Sequence, residues 1–280
     1  MKRQSDMAAG IRRARRLPKK HSTKTDDVKE DSALARGIRV LRAFRVGDSV
    51  LTHSELAKRT HLPKPTLSRI LATLSELGCV NYIEHLEAYK LGGAVIAMGH
   101  VASANFDLLQ VARPLMTKLA EEIGLAVGIG MLEKDRMVYM DACQGTARVA
   151  LQMRVGSRLP LFPTAMGRAI LATMSSEQRA RLMEKYGSQD PEERKYHERA
   201  IERAAAELDK SGFCSVVGEW DPDINGLAAP LITGEGNFVL DCGGPAYLLP
   251  PNRMYEEIGP QLAKIATKIR ERIGIAMSTL

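Results

Sequence analysis

The stretch that decides the fold runs from Thr52 to Gly78 and reads THSELAKRTHLPKPTLSRILATLSELG. Thr52 and Glu55 have the spacing of a capping box, in which each residue caps a backbone N–H at the start of a helix. A further helix is predicted from Lys64, because proline at position 65 suits a first turn and Gly78 suits a helix end. Its apolar residues recur with helical spacing at 67, 70, 71, 74 and 77.

Further elements flank this stretch on both sides. Apolar residues at 34, 38, 41 and 44 have helical spacing and predict a helix that ends near Gly47. Val80–Ile83 and Ala88–Leu91 read as two strands around a short turn, and so predict a hairpin. Three helices followed by a hairpin is the order of a winged helix-turn-helix domain, whose third helix can enter a groove of DNA.

The third predicted helix turns a polar face away from its apolar stripe. The polar residues on this face are Lys64, Thr66, Ser68, Arg69 and Thr73. An α-helix fits the major groove of DNA, and side chains of these types can bond to phosphates and base edges. An ordinary three-helix core with a polar solvated face would show the same pattern, so the periodicity leaves both interpretations open.

Positive charge is concentrated in the first third of the chain. Residues 1–95 contain 19 Lys and Arg against 10 Asp and Glu, whereas the remainder contains 21 against 23. Residues 1–30 are basic and have few large apolar side chains, which predicts a disordered basic arm. This asymmetry favours a basic module that meets a polyanion such as DNA, with a basic tail kept for solubility as the alternative.

The remainder of the chain alternates between helical and extended patterns. Strands are expected at 125–131, 137–140, 148–155, 214–219, 226–232 and 238–242. Helices are expected at 108–123, 164–174, 191–210 and 258–269. Runs of strands separated by runs of helices indicate an α+β domain with a mainly antiparallel sheet.

Several classes of protein are disfavoured. The longest nearly apolar run covers only residues 91–99, whereas a membrane-spanning helix needs about twenty residues. The cysteines at 79, 143, 214 and 242 lack metal-ligand or redox spacing, which fits reduced thiols in the cytoplasm. The chain has no hydrolase, metalloprotease or nucleotide-binding motif, so we expect no catalysis, no cofactor and no metal.

Six segments, in order, resemble one known family. They are 34–41 (LARGIRVL), 54–57 (SELA), 62–74 (LPKPTLSRILATL), 160–169 (PLFPTAMGRA), 226–230 (GLAAP) and 243–245 (GGP). On these motifs the chain, from about Ala33 onward, resembles the IclR family of transcriptional regulators. The resemblance implies an α+β chain with a winged helix-turn-helix domain, a linker helix and a GAF/profilin-like effector domain, whose mainly antiparallel sheet is flanked by helices.

The resemblance also implies boundaries and partners. A basic arm at 1–30 would precede a DNA-binding domain at 31–92, a linker helix at 93–107 and an effector-binding and oligomerisation domain at 108–280. We therefore expect a cytoplasmic homodimer or homotetramer that binds double-stranded promoter DNA as a repressor or activator, with no membrane partner.

Together with the polar face, the resemblance gives a set of DNA-contacting positions. They are Thr52, Lys64, Pro65, Thr66, Ser68, Arg69 and Thr73. Thr52 would lie near a phosphate, because backbone N–H groups at a helix N-terminus favour an anion. Pro65 stands where a small residue is common in the family, and it has no backbone N–H to donate.

The implied effector pocket lies between the sheet and the start of the helix at Thr164. Its expected contacts are Thr164, Ala165, Met166, Glu219, Asp223, Asn225, Asp241, Cys242 and Gly243. Free N–H groups at a helix N-terminus suit a carboxylate, but Asp241 would repel one unless protonated. We therefore expect an organic acid or aromatic metabolite with a hydroxyl, an amine or a ring facing Asp241.

Simpler interpretations of these residues stay open. Glu219 and Asp223 have the character of solvated loop carboxylates, and Cys242 that of a small core residue. The second module could also serve only to oligomerise an architectural DNA-binding protein. A saturable shift of the melting temperature by a small molecule would distinguish a sensor from that alternative.

Overall fold

The computed structural model describes residues 32–147 and 151–278, so the arm expected at 1–30 lies outside the described residues. A small helical domain with a hairpin comes first, two connecting helices follow, and a larger domain is built on one sheet. The predicted fold class, α+β with an antiparallel sheet, is confirmed.

The first domain packs three helices against a small sheet. The elements are α1 (Ala33–Leu41), β1 (Leu51–Thr52), α2 (His53–Thr60), α3 (Lys64–Glu76), β2 (Val80–Ile83) and β3 (Ala88–Leu91), with strand order β1-β3-β2. Thr52 and Glu55 form the expected capping box at the start of α2. Leu67, Leu71 and Leu74 of α3 are buried in the core of this domain, so the polar side of α3 faces outward.

Two helices connect the domains. On α4 (Gly93–Ala104) no residue is buried, and Ile96, Met98 and Val101 are exposed. The next helix, α5 (Asp107–Ile123), buries its apolar stripe against the larger domain. Taken singly, no helix in the described ranges is long and apolar enough to cross a membrane, and α4 and α5 meet that test only as a pair bent by 83°.

The second domain is built on a six-stranded antiparallel sheet. Its strands are β4 (Ala126–Glu133), β5 (Arg136–Cys143), β6 (Arg158–Pro160), β7 (Cys214–Asp221), β8 (Ile224–Thr233) and β9 (Gly236–Pro245), in the order β6-β5-β4-β9-β8-β7. Four helices cover its faces: α5 and α9 (Gly259–Ser278) on one, and α6 (Ala165–Ala172) and α8 (Pro191–Ser211) on the other. Side chains of β9 alternate between these two cores.

Sequence patterns failed at several elements, among them the short strands β1 and β6. The helix α7 (Ser176–Tyr186) was not predicted, because it buries only Met183 and so lacks a long apolar stripe. The strand predicted at 148–155 is wrong where it can be checked: residues 148–150 lie outside the described residues, and 151–154 have no regular structure. The alternation has another cause, since Leu151 and Met153 line a cavity above the sheet.

Leu71→Ala should destabilise the first domain and spare the second. Leu71 is 1% exposed, and removal of a buried leucine side chain lowers the free energy of unfolding by about 2–5 kcal/mol. The single tryptophan, Trp220, lies on β7 and reports the second domain. In urea, the part of the helical circular dichroism that comes from the first domain should be lost earlier, while the Trp220 fluorescence transition stays in place.

Glu76→Ala is the control, because Glu76 is exposed on the same helix. Equal shifts of the circular dichroism and fluorescence transitions in Leu71→Ala would contradict the independence of the two cores.

Candidate DNA-contacting surface and ligand cavity

Most of the predicted DNA contacts lie on the outward side of α3. Five of them are exposed, and Thr66 is half-buried; the exposed ones are Lys64, Pro65, Ser68, Arg69 and Thr73. With 3.6 residues per turn, Arg69 is rotated by about 200° from the buried Leu67. Arg69 therefore points almost directly away from the core.

A histidine that sequence reasoning missed lies beside this face. The Ser68 hydroxyl donates to the carbonyl of Lys64 at 3.0 Å. It therefore accepts from Nε2 of His53, which is also 3.0 Å away. His53 is the first residue of α2, and its place directly after the capping residue was the only signal in the sequence.

The N-terminus of α2 already holds a carboxylate. The backbone N–H and the hydroxyl of Thr52 both donate to Oε2 of Glu55, each at 2.8 Å. These bonds, with the backbone one the stronger, hold the pKa of Glu55 below its ordinary value. A phosphate near Thr52 would thus lie beside a negative charge.

The tip of the hairpin between β2 and β3 is acidic. Glu84 and Glu87 are exposed there, with His85 and Leu86 between them. Like charges repel, so this tip is poorly suited to lie on a DNA backbone. The basic and hydroxyl side chains of α3 are the better match.

An apolar groove of about 340 Å³ separates α1 from α3. Leu34, Ile38 and Leu77 line it, and they are 76%, 46% and 64% exposed. Arg69 lines its edge, so the groove adjoins the polar face of α3. Exposed apolar surface of this kind marks an interaction site more often than a free surface.

A cavity lies between the sheet and the start of α6. Its volume is about 30 Å³, which is enough for one or two water molecules. Predicted effector contacts that line it are Thr164, Ala165, Met166, Asn225, Asp241, Cys242 and Gly243. Lining residues that the sequence analysis did not assign are Tyr139, Leu151, Met153, Leu159, Val216, Ile224 and Gly226.

Asp241 is the polar centre of this cavity. It is 5% exposed, its Oδ2 accepts from the Tyr139 hydroxyl at 2.7 Å, and its Oδ1 has no hydrogen-bond partner among the described residues. Burial raises the pKa of Asp241 to about 8. Burial also raises the pKa of Tyr139, with the Asp241 carboxyl adding to the effect, so Tyr139 is a neutral donor. Near neutral pH, a largely protonated Asp241 does not repel an acid.

Glycines on β4 make room for these side chains. A Cβ at Gly128 would lie 2.5 Å from Cε1 of Tyr139 and 2.9 Å from Oδ1 of Asp241. A Cβ at Gly130 would lie 2.8 Å from Sδ of Met166. Larger residues at these positions would push Tyr139 off Asp241 or Met166 off the sheet.

The start of α6 supplies backbone donors. The hydroxyl of Thr164 accepts from the N–H of Gly167 at 3.2 Å and donates to the carbonyl of Pro160 at 2.8 Å. The N–H groups of Ala165 and Met166 lie in the first turn, where no carbonyl of the helix can reach them. An acceptor such as a carboxylate suits this end of the cavity.

Two predicted effector contacts lie elsewhere. Glu219 is not part of the cavity lining, and it accepts from Arg168 at 2.9 Å and from the Tyr196 hydroxyl. Burial alone would raise the pKa of Glu219, but these two bonds hold it below its ordinary value. Asp223 is exposed to solvent.

Two further residues line the cavity without offering it a free polar side chain. The amide of Asn225 accepts from the N–H of Gly218 and donates to the carbonyl of Leu249, both at 2.9 Å. The side chain of Cys242 packs in the core on the opposite face of the sheet.

Metal binding and thiol chemistry find no support in the described ranges. No group of three or more His, Cys, Asp or Glu residues is arranged to hold a metal ion there. All four cysteines are buried free thiols. Burial raises the pKa of Cys214 and of Cys242, so neither supplies a reactive thiolate.

Two family models match the chain. The IclR helix-turn-helix domain matches residues 33–83, and the C-terminal domain of bacterial transcriptional regulators of the IclR type matches residues 100–271. Among curated relatives, the HTH-type transcriptional regulator TsaQ1/TsaQ2 of Comamonas testosteroni is 27% identical over 87% of this chain and 89% of that protein. The p-hydroxybenzoate hydroxylase transcriptional activator of Acinetobacter baylyi is 24% identical over 86% and 92%.

Solved structures of IclR-family proteins share the fold of this chain. An IclR-family transcriptional regulator from Brucella abortus is 32% identical, with a TM-score of 0.74 over 90% of this chain and 97% of that one. An IclR homologue from Microbacterium hydrocarbonoxydans, complexed with 4-hydroxybenzoate, shares the fold at 23% identity, with a TM-score of 0.71 over 87% and 100%.

Asp241→Asn should change how stability depends on pH. A carboxyl group whose folded pKa is about 8, against 3.8 ordinarily, keeps its proton in the fold longer than in the unfolded chain. Its contribution to stability is therefore present at low pH and falls as pH rises from about 4 to 8, by up to about 1.4 kcal/mol per unit. Asparagine does not ionise, so the stability of Asp241→Asn does not fall in this way as pH rises.

The measurement is urea unfolding of both proteins at several pH values, followed by Trp220 fluorescence. The stability of Asp241→Asn relative to the parent should rise across that window and level off above it. Asp223→Asn, in the exposed turn between β7 and β8, should show no such trend. A pH-independent difference for Asp241→Asn would contradict the raised pKa.

Proposed function

The chain belongs to the IclR family of DNA-binding transcriptional regulators, and on that premise we propose that it reads promoter DNA with α3 and responds to a small molecule in the cavity around Asp241. One observation carries the proposal. The chain combines a capped helix-turn-helix with a polar outward face and a cavity in which Oδ1 of the buried Asp241 has no hydrogen-bond partner among the described residues. The proposed domains are 31–92 for DNA, 93–107 as linker and 108–280 for the effector.

The DNA-binding proposal rests on the orientation of α3. Its buried stripe holds the helix against the domain core, and Arg69 and Ser68 point outward. In that position the guanidinium of Arg69 can reach the edge of a guanine, while Lys64 serves a phosphate. His53 joins the proposed contacts because it bonds to Ser68.

The effector proposal rests on the two polar ends of the cavity. Backbone N–H groups of Ala165 and Met166 suit a carboxylate, and Asp241 suits a hydroxyl. Apolar side chains, with Trp220 at the edge, form the walls between them. A hydroxylated aromatic acid satisfies all three features, and 4-hydroxybenzoate, the ligand of one structural neighbour, is a member of that class.

The proposal includes a homodimer, joined through the first domain. The groove between α1 and α3 and the unburied helix α4 both expose apolar side chains. If α4 of one chain packs against this groove of a second chain, both apolar surfaces are covered. The assembly we propose is this homodimer or a homotetramer of two such dimers.

We also propose that the protein acts by binding alone, in the cytoplasm and without a membrane partner. The buried, protonated thiols and the paired Glu219 support a role without catalysis. The excess of positive charge in the first third of the chain supports a nucleic-acid partner.

Arg69→Ala should weaken DNA binding and reduce its sequence specificity. If the guanidinium contacts a base edge, its loss costs about 1–3 kcal/mol and relaxes the preference at one base pair. The test selects duplexes from a random pool with the full chain and compares affinities by fluorescence anisotropy. Lys118→Ala removes the same charge from an exposed position on α5 and should leave affinity unchanged. Unaltered selection by Arg69→Ala would overturn the assigned orientation of α3.

Binding of 4-hydroxybenzoate should raise the melting temperature of the protein in a saturable manner. Asp241→Ala should weaken this response about tenfold, since a buried hydrogen bond is lost. Benzoate, which lacks the hydroxyl, should bind the parent less tightly, and Asp223→Ala should behave like the parent. Equal responses of the parent and Asp241→Ala to 4-hydroxybenzoate would place the effector elsewhere.

A further inference from the structure

The residues from Leu151 to Ser157, called here the 151–157 segment, run from the cavity to the first domain. At one end, Leu151 and Met153 line the cavity around Asp241. At the other end, Gly156 and Ser157 line a cleft of about 770 Å³ whose opposite wall belongs to the first domain. The residues of that wall are Arg42, Phe44, Arg45 and Val46.

The two domains touch across this cleft. Arg42, at the end of α1, pairs with Glu133 of β4 at 2.6 Å, and Glu133 also pairs with Arg158 at 2.9 Å. A Cβ built on Gly156 would lie 3.7 Å from Cγ2 of Val46. All three charged side chains are at least one-third exposed, so this contact is weak and can open readily.

Tyr139 ties the segment to the cavity. Its backbone N–H donates to the carbonyl of Ser157 at 3.0 Å, and its carbonyl accepts from the N–H of Gly156 at 2.8 Å. Its hydroxyl donates to Asp241 at 2.7 Å. The same residue thus holds the turn that faces the first domain and the carboxyl group at the centre of the cavity.

The cavity has to grow before it can hold an organic ligand. Its volume is about 30 Å³, whereas pockets for small organic molecules measure about 300–1,000 Å³. The floor is a hydrogen-bonded sheet, and one wall is α6, whose residues 165–171 are all buried. Movement of the sheet would break backbone hydrogen bonds, and movement of α6 would disrupt this packing. The residues at 151–154 have no regular structure, and a methionine side chain has three rotatable bonds. Leu151 and Met153 are therefore the part of the lining that is displaced most easily.

We propose that the 151–157 segment is the mechanical link between effector and DNA. This rests on the proposed function of the cavity. A ligand displaces Leu151 and Met153, the displacement moves the turn at Gly156, and the contact with Val46 and Arg42 opens. The first domain, which stays attached through α4, then takes a different set of orientations, and a ligand that favours one set shifts DNA binding.

A substitution that fills part of the cavity tests the proposed role of the 151–157 segment without a ligand. A Cβ at Gly243 would lie 3.0 Å from Cε of Met153 and 3.2 Å from Cδ2 of Leu151, so Gly243→Val pushes on the segment from inside the cavity. Gly226→Ala is the matched control, since its Cβ meets only Ala165, at 3.5 Å, and the carbonyl of Cys242, at 3.9 Å. Val46 and Ser157 line the same cleft, and the readout is the rate at which a short bismaleimide cross-links a Val46→Cys/Ser157→Cys background. Gly156 is kept, because its φ of +83° strains any other residue. The native cysteines are buried and do not interfere.

Adding Gly243→Val should slow cross-linking about tenfold, and adding Gly226→Ala should leave it unchanged. Unfolding followed by Trp220 fluorescence verifies the fold, and Gly243→Ala replaces the valine variant if that one does not fold. Cross-linking at the background rate in the folded Gly243 variants would overturn the proposal. The assay contains neither DNA nor ligand, so failure to select any duplex would count against the proposed function alone.

Discussion

A buried carboxyl group needs hydrogen-bond partners, and among the described residues Asp241 finds one, the hydroxyl of Tyr139. The chain is arranged around that pair. Gly128 lies on the strand between them because a Cβ there would collide with both side chains. The raised pKa of Asp241 follows from its burial beside this small cavity. The binding chemistry of the second domain therefore depends on one incompletely satisfied carboxyl group.

The free energies of these interactions allow ligand binding to open the contact between the domains. An unpartnered buried polar group costs about 1–3 kcal/mol, and a ligand that bonds to Asp241 recovers that energy. The exposed pair between Arg42 and Glu133 is worth about 0–1 kcal/mol. A ligand can therefore open the contact between the domains and still bind. A buried and rigid interface between the two domains would oppose this opening.

Local signals in the sequence predicted the first domain well. The capping box of Thr52 and Glu55, the stripe of α3 and the hairpin all depend on residues a few positions apart. The cavity was predicted only in part, because Tyr139 and Asp241 are 102 positions apart and meet across an intervening strand. Alternation at 148–155 predicted a one-sided strand, but Leu151 and Met153 line the cavity instead and Val155 is exposed. Resemblance supplied Ala165 and Met166, whereas Glu219 proved to be paired with Arg168.

The most direct test of the account is a double-mutant cycle on DNA affinity. Gly243→Val and Arg42→Gln are made singly and together in the full chain, and binding to a duplex selected from a random pool is measured at fixed salt. The account predicts that Gly243→Val alters affinity on its own and has little further effect once Arg42→Gln has opened the contact, whereas Arg45→Gln, in the same cleft, leaves the effect intact. Strictly additive effects of Gly243→Val and Arg42→Gln would contradict it.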